Sequence, residues 1–254
     1  AKIQKLAQEN ARYLVTVFMP TQMIYSTSLR QMNYLASWMQ EYIEQSDPND
    51  LFEQTLASSM QQLQMELFRL NVLEDGLMRN DKQRRFSLFG HNLNRKEEHF
   101  GDVYSTLYKG SFAQLAQVQR HRTIDYQMER LDQKEYFVPP IIQSDLSLVE
   151  EWLADMQRVK EVYPQGELVQ ISEMGKYEDF ILKCKERLCT SSQLEIMLQT
   201  KERLLQYKQE LQKNNSPLAK DILKYTHGAR CTFPDFTCSS DCKFKEGKQL
   251  IRKI

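Results

Sequence analysis

A short run of cationic and amide side chains, Gln117-Val-Gln-Arg120-His121-Arg122, holds the densest set of groups that could bind a ligand. Arg120 and His121 follow Gln117 by three and four residues, so a helix would place both on the same face as Gln117. Guanidinium, imidazole and amide groups can together hydrogen-bond a phosphate and the edge of a flat heterocycle. A solvated cationic stripe is the alternative interpretation of the same triplet.

The residues around this run predict a helix that carries it. A helical pattern extends from about Ser105 to Lys134, and the pair Pro139-Pro140 must stop it. The stretch 109–116 is made largely of small and apolar residues, which favours close packing and a central position. Charged groups on a central helix need a ligand or an ion partner, so this composition favours the ligand-binding interpretation.

The other regular elements follow from hydrophobic spacing. The β-branched and aromatic segment 13–27, interrupted by Pro20, predicts two short strands or one bent strand. An alternating strand is predicted at 167–171. Helices are predicted from Leu29 to beyond Met39 with Ser28 as the cap, and over 51–77, 147–162 and 177–212.

The composition excludes several classes of protein. Of the 254 residues, 41% are hydrophobic and 27% are charged, which is typical of a globular chain and not of a disordered or fibrous one. Thirty-four basic residues balance 34 acidic ones, so there is no global field to attract nucleic acid, and any polyanion site must be local.

Targeting and cysteine use predict a cytoplasmic protein. No apolar run approaches the roughly 18–20 residues that cross a bilayer, and the first residues lack the pattern of a signal peptide. The five cysteines cannot all pair within one chain, which favours reduced thiols. Three of them, with His227, could bind zinc, but their spacing fits no standard knuckle, so free thiols and no metal are the prediction.

Several motifs resemble the flavin-dependent thymidylate synthases. The run 117–123 is similar to that family's Arg-His-Arg, seven residues, then Ser. Glu98-His99 resembles the family's upstream Glu-His, and 187–196 resembles a stretch with an Arg, a later Gln and Glu-Ile. The tail from Gly228 resembles a Gly-Pro-x-Cys…Cys-Pro-Glu-Gly ending.

The order of the motifs resembles a tandem array. Residues 9–30 are similar to a family stretch that belongs after the Arg-His-Arg helix, although here they precede it. We therefore predict the back half of one unit at 1–80, a linker and the start of a second unit at 81–104, and most of the second unit at 105–254. A weak repeat of strand and helix, offset by about 148 residues, agrees with this.

The resemblance implies a fold, a chemistry and a set of roles. The fold would be α/β (α+β) and helix-rich, with long central helices and a small mixed sheet. The chemistry would be methylation of dUMP to dTMP with methylenetetrahydrofolate, FAD and NADPH, by a homo-oligomer. Arg187, which would reach the uracil, is the predicted catalytic residue. Predicted cofactor-binding residues are His121, Arg122, Glu98 and His99; predicted substrate-binding residues are Gln117, Arg120, Arg130, Arg30 and Ser28.

This chain also departs from the family pattern. The motif's Ser position is Arg130, which we hypothesise to be a replacement cation, and Asp132 stands where the family has an Arg. The family's Asn-x-Arg falls at 176–178, where both types are lost, and at 28–30, where only the Arg remains. A catalytically degenerate paralogue that binds flavin or nucleotide, or a structural interaction module, are therefore the alternative functions.

Overall fold

The computed structural model describes residues 2–78, 97–238 and 249–251. The chain divides into two compact units, one made of Ala1–Met19 with His91–Ile254 and the other of Pro20–Gly90. The first nineteen residues therefore belong to the larger unit, a division that differs from the predicted tandem boundaries at 80 and 104. The predicted linker lies mostly outside the described residues.

The larger unit combines helices with a small sheet. Its helices are α1 (Lys2–Ala11), α5 (Phe112–Val118), α6 (Leu146–Arg158), α7 (Tyr177–Arg187), α8 (Leu194–Lys213) and α9 (Leu218–Ile222). Its strands are β1 (His99–Phe100), β2 (Val103–Ser111), β3 (Asp125–Arg130) and β4 (Leu168–Lys176). Short 3-10 turns lie at Arg12–Leu14, Lys160–Val162, Leu223–Tyr225 and Arg230–Thr232.

The sheet has the strand order β1-β2-β4-β3, and each of its pairings is antiparallel. The helix-rich α/β class is thus confirmed, whereas the prediction of a mixed sheet is wrong. Register places Thr106 opposite Glu173, and Glu173 opposite Tyr126, on one row across three strands. Because side chains alternate between the two faces of a strand, these three residues share one face.

Helices α7 and α8 pack on that face through aromatic side chains. Tyr104 of β2 contacts Phe180 of α7 and Tyr207 of α8, with ring centroids 5.2 and 5.5 Å apart. All three rings are buried. Strand β2 also passes close to α5, because a Cβ at Gly110 would lie 2.3 Å from the Gln114 side-chain oxygen. Glycine therefore permits this approach.

The smaller unit is a helical hairpin of α2 (Leu29–Gln45) and α3 (Leu51–Arg69), followed by α4 (Asp75–Met78). Its apolar contacts come from Met39, Tyr42, Ala57 and Met60. Ser28 caps α2 as predicted, with its hydroxyl accepting from the Gln31 amide at 3.1 Å. The predicted helix 51–77 is too long, because α3 ends at Arg69 and Asn71 has φ 54°.

Two predictions about local structure are wrong. Segment 13–27 forms no strand; it contains a 3-10 turn, a single bridge from Thr16 to Pro164, and otherwise extended chain. Tyr13 turns inward to bond Glu195, which takes the place of strand pairing. The helix predicted over 105–134 is instead β2, α5 and β3, because long-range pairing with β4 fixes these residues as strands.

Candidate functional site

The Arg-His-Arg triplet lies in the turn between α5 and β3 and not on a helix face, because α5 ends at Val118. His121 is buried, while Arg120 and Arg122 on either side of it are exposed. The turn therefore points its imidazole into the fold and leaves two cationic residues at the surface.

Arg187 joins this turn to α7. Its Nε donates to His121 Nε2 at 2.7 Å, and its Nη2 donates to the backbone oxygen of Gln117 at 3.2 Å. These partners are 66 and 70 residues away along the chain. Three residues predicted from sequence motifs, Arg187 as catalytic, His121 for the cofactor and Gln117 for the substrate, are thus in contact, through the backbone in the case of Gln117.

The surroundings of His121 keep its imidazole neutral. Burial, followed by the positive charges of Arg187 and Lys183, lowers its pKa to about 4. Because Nε2 accepts a hydrogen bond, Nδ1 carries the proton, an assignment made from the hydrogen-bond pattern. Nδ1 lies 3.6 Å from a carboxylate oxygen of Glu186, which is half exposed.

A fully buried ion pair joins Glu173 of β4 to Lys183 of α7, on the sheet face against which α7 packs. The Lys183 ammonium is 2.6 Å from Glu173 Oε2, and both side chains have zero exposure. The carboxylate also accepts from the hydroxyls of Tyr104 at 2.7 Å and Tyr108 at 2.8 Å. Lys183 and Arg187 are four residues apart on α7, so they project from one side of that helix. The buried pair therefore supports the helix face from which Arg187 reaches His121.

Tyr126, across from Glu173 in the sheet, adds a buried hydroxyl with no hydrogen-bond partner among the described residues. Burial and the Glu173 carboxylate raise its pKa, and Arg187 acts in the opposite direction. The phenol therefore remains protonated and can donate a hydrogen bond. An unsatisfied buried donor beside Arg187 fits a ligand that carries an acceptor there.

The two guanidinium groups at the site, those of Arg187 and Arg120, repel each other. Burial lowers the pKa of Arg187, Glu186 raises it, and the nearby Arg120 lowers it further. Arg187 nevertheless keeps its charge, since a guanidinium stays protonated in proteins. Two neighbouring guanidinium groups with solvent access through Arg120 attract an anion such as a phosphate. The donor set thus fits the phosphate of a nucleotide or of a flavin dinucleotide.

The structure places the remaining predicted residues elsewhere. Glu98 accepts from Thr106 Oγ1 at 2.8 Å and from Gln206 Nε2 at 3.1 Å, and His99 is exposed on β1. Arg130 lies at the far end of β3, about 13 Å along the strand from Tyr126. Its guanidinium is 6.0 Å from the ring centroid of Tyr163.

The two site residues predicted in the smaller unit have local roles there. Ser28 caps helix α2, and Arg30 is exposed in its first turn. Their assignment to the substrate stays a prediction.

A second buried carboxylate holds the start of the chain in the larger unit. Glu195 Oε2 accepts from the hydroxyls of Ser111 at 2.6 Å and Tyr13 at 3.0 Å, and Oε1 accepts from the Ser111 amide at 2.8 Å. Burial raises the pKa of Glu195, while these hydrogen bonds lower it. Ser111 also caps α5, so this cluster fixes the helix that precedes the Arg-His-Arg turn.

Sequence reasoning missed the residues that surround the predicted ones. Glu173, Lys183 and Tyr126 were not selected, although all three lie beside His121 or Arg187. The four-residue step from Lys183 to Arg187 was the available signal for a shared helix face. No sequence signal marks Glu173, because its burial depends on pairing between β4 and both neighbouring strands.

Comparison with models of known protein families gives no match, and comparison with curated proteins gives none at the significance required. The family resemblance therefore depends on the sequence motifs alone. Within the described ranges, no helix combines the length and apolar character needed to cross a bilayer. The same residues include no group of three or more His, Cys, Asp or Glu side chains suited to a metal ion.

Proposed function

We propose that this protein is a divergent flavin-dependent thymidylate synthase that binds dUMP and FAD at the Arg-His-Arg turn. The observation that carries the proposal is the contact of Arg187 with His121 and with the Gln117 backbone. Arg187 comes from a different family-like stretch than the run 117–123, which contains both Gln117 and His121. Contact between these two stretches at one turn is expected if both serve one active site.

The chain's own groups have distinct tasks in this proposal. Arg187 and Arg120 bind the anionic or carbonyl oxygens of the nucleotide. The buried Tyr126 hydroxyl donates to a ligand acceptor and excludes water from that position. Arg122, exposed beside them, holds part of the flavin. FAD, when bound, supplies the redox chemistry by which NADPH and methylenetetrahydrofolate convert dUMP to dTMP.

Catalytic degeneracy is the second candidate, and the position of Arg130 favours it. The family's Ser anchor falls on this residue, which lies at the opposite end of β3 from Tyr126. The Asn-x-Arg position falls at 176–178, where the Tyr177 hydroxyl donates to Asp221 at 2.9 Å. A chain that keeps the anion site but lacks these anchors would bind flavin or nucleotide without methyl transfer.

Burial of His121 argues against a pure interaction module in which the triplet is only surface charge. A homo-oligomer in the cytoplasm remains part of the proposal. Its expected partners are dUMP or another nucleotide, with neither nucleic acid nor membrane.

An absorbance spectrum of the purified full chain tests flavin binding. We expect flavin bands that are lost in Arg120→Ala/His121→Ala. They should persist in Arg158→Ala, which removes an exposed guanidinium paired with Asp155 on α6. Failure of the wild type to bind added FAD would refute the proposal.

A second assay separates the two candidate functions. NADPH oxidation that requires dUMP indicates a synthase. FAD binding without this activity indicates the degenerate paralogue.

A further inference from the structure

Both ring nitrogens of His121 already face other side chains. Its Nε2 accepts from Arg187 Nε at 2.7 Å, and its Nδ1 faces Glu186. We propose that His121 is a positioning residue: it fixes the orientation of the Arg187 guanidinium, and Arg187 makes the ligand contact. The identity of the ligand depends on the proposed function, whereas the contact between the two side chains does not.

The geometry holds the guanidinium at two points. Nε is fixed by the imidazole, and Nη2 is fixed by the Gln117 backbone oxygen at 3.2 Å. A guanidinium has five N–H donors in one plane. Two points of attachment set that plane and leave the remaining donors for a carboxylate, phosphate or carbonyl group. A preorganised guanidinium loses less entropy when a planar ligand binds.

Only a neutral imidazole can hold Arg187 in this way. A protonated His121 would present N–H at Nε2 to the N–H of Arg187, so two donors and two positive charges would meet. The charged side chains on the elements packed against His121 favour, on balance, its neutral form. Arg187 and Lys183 of α7 oppose protonation, and Glu173 of β4 favours it.

The remaining charged or titratable neighbours do not reverse this balance. Glu186 lies 3.6 Å from Nδ1, beyond hydrogen-bonding distance, and its carboxylate is half exposed. Tyr126 of β3 is uncharged. Arg120 and Arg122, which flank the imidazole in its own turn, add positive charge.

Nuclear magnetic resonance of the ligand-free full chain tests the contact directly. The His121 signals are assigned by their disappearance in His121→Gln. We expect nitrogen shifts of the Nδ1–H tautomer that persist down to about pH 5.5, and an Arg187 Nε–H signal that His121→Leu abolishes. An Nε2–H tautomer, or protonation of this ring near about pH 6.5, would overturn the proposal.

Calorimetric titration with dUMP in the presence of FAD tests the consequence for binding. His121→Gln keeps an acceptor near the position of Nε2, and His121→Leu removes it. We expect His121→Leu and Arg187→Lys to weaken dUMP binding about tenfold or more, since a hydrogen bond to a charged group is lost. We expect His121→Gln to remain within about threefold of the wild type.

Equal losses in His121→Gln and His121→Leu would mean that the imidazole itself contacts the ligand, which overturns the positioning role. Circular dichroism and thermal unfolding identify any variant that fails to fold. If the wild type binds no dUMP, the proposed function fails, and the tautomer measurement still decides the positioning role.

Discussion

Replacement of Lys183 by Met removes the ammonium that lies 2.6 Å from the Glu173 carboxylate in the interior. Met has a similar length and fills much of the same volume, so the main change is electrostatic. Glu173 would retain the hydroxyls of Tyr104 and Tyr108 as donors, but no cation would face its buried charge at hydrogen-bonding distance. The variant therefore isolates the effect of leaving a carboxylate unpaired.

The expected cost is large because neither side chain has any exposure. Removal of one partner from a buried ion pair destabilises proteins by about 3–5 kcal/mol, and we expect Lys183→Met to fall in this range. The double variant Lys183→Met/Glu173→Gln removes both charges and should recover about 2 kcal/mol or more of that loss. Replacement of a buried ion pair by uncharged residues of similar volume often changes stability little.

Urea unfolding of the wild type, both single variants and the double variant measures these free energies. Lys185→Met is the control. Lys185 lies on α7, like Lys183, but it is partially exposed and pairs with Asp235, so its loss should change the free energy of unfolding by at most about 1 kcal/mol. A loss below about 1 kcal/mol in Lys183→Met, or a double variant no more stable than the single ones, would refute this reasoning.

Three further predictions concern stability. Tyr13→Phe loses the hydroxyl that donates to Glu195 and should cost about 1–3 kcal/mol in urea unfolding at neutral pH. Ser28→Ala removes the cap of α2 and should lower the free energy of unfolding by about 1 kcal/mol, measured from the loss of helical signal on heating. Ser28→Gly, which should cost only about a few tenths of a kcal/mol, is the comparison. Because the pKa of His121 is depressed to about 4, neutral His121 contributes to the free energy of unfolding above about pH 6.5. This contribution, up to about 3 kcal/mol, is lost as the pH falls toward 4. In His121→Gln, the free energy of unfolding should depend less on pH over this range.

Local signals predicted several of the helices. The apolar steps after Ser28 and the long pattern of 177–212 correspond to α2 and to α7 with α8. These elements are defined by neighbours three and four residues away. The helical pattern also ran continuously through 188–193, where the structure has a break between α7 and α8.

The strands around the site were not predictable in the same way. Tyr104 and Tyr108 are four residues apart, a spacing that also fits one face of a helix, but both lie on one face of β2 and donate to Glu173. Whether this segment forms a helix or a strand depends on its pairing with β4, more than sixty residues later in the chain. The burial of the Lys183–Glu173 pair depends on the same long-range pairing.

The starts of α2 and α7 are separated by the offset of the predicted repeat. Ser28 precedes α2 and Lys176, 148 residues later, precedes α7. The segment before α7 is strand β4, whereas the segment before α2 is extended without strand pairing. The tandem organisation stays a prediction.

Calorimetric titration of the FAD-supplemented full chain with dUMP tests the account most directly, because it asks whether the turn around His121 holds a nucleotide. We expect saturable binding by the wild type and at least about tenfold weaker binding by Arg187→Lys, which keeps the charge but loses the Nε donor. No saturable heat in the wild type, or equal affinity in the two proteins, would contradict it.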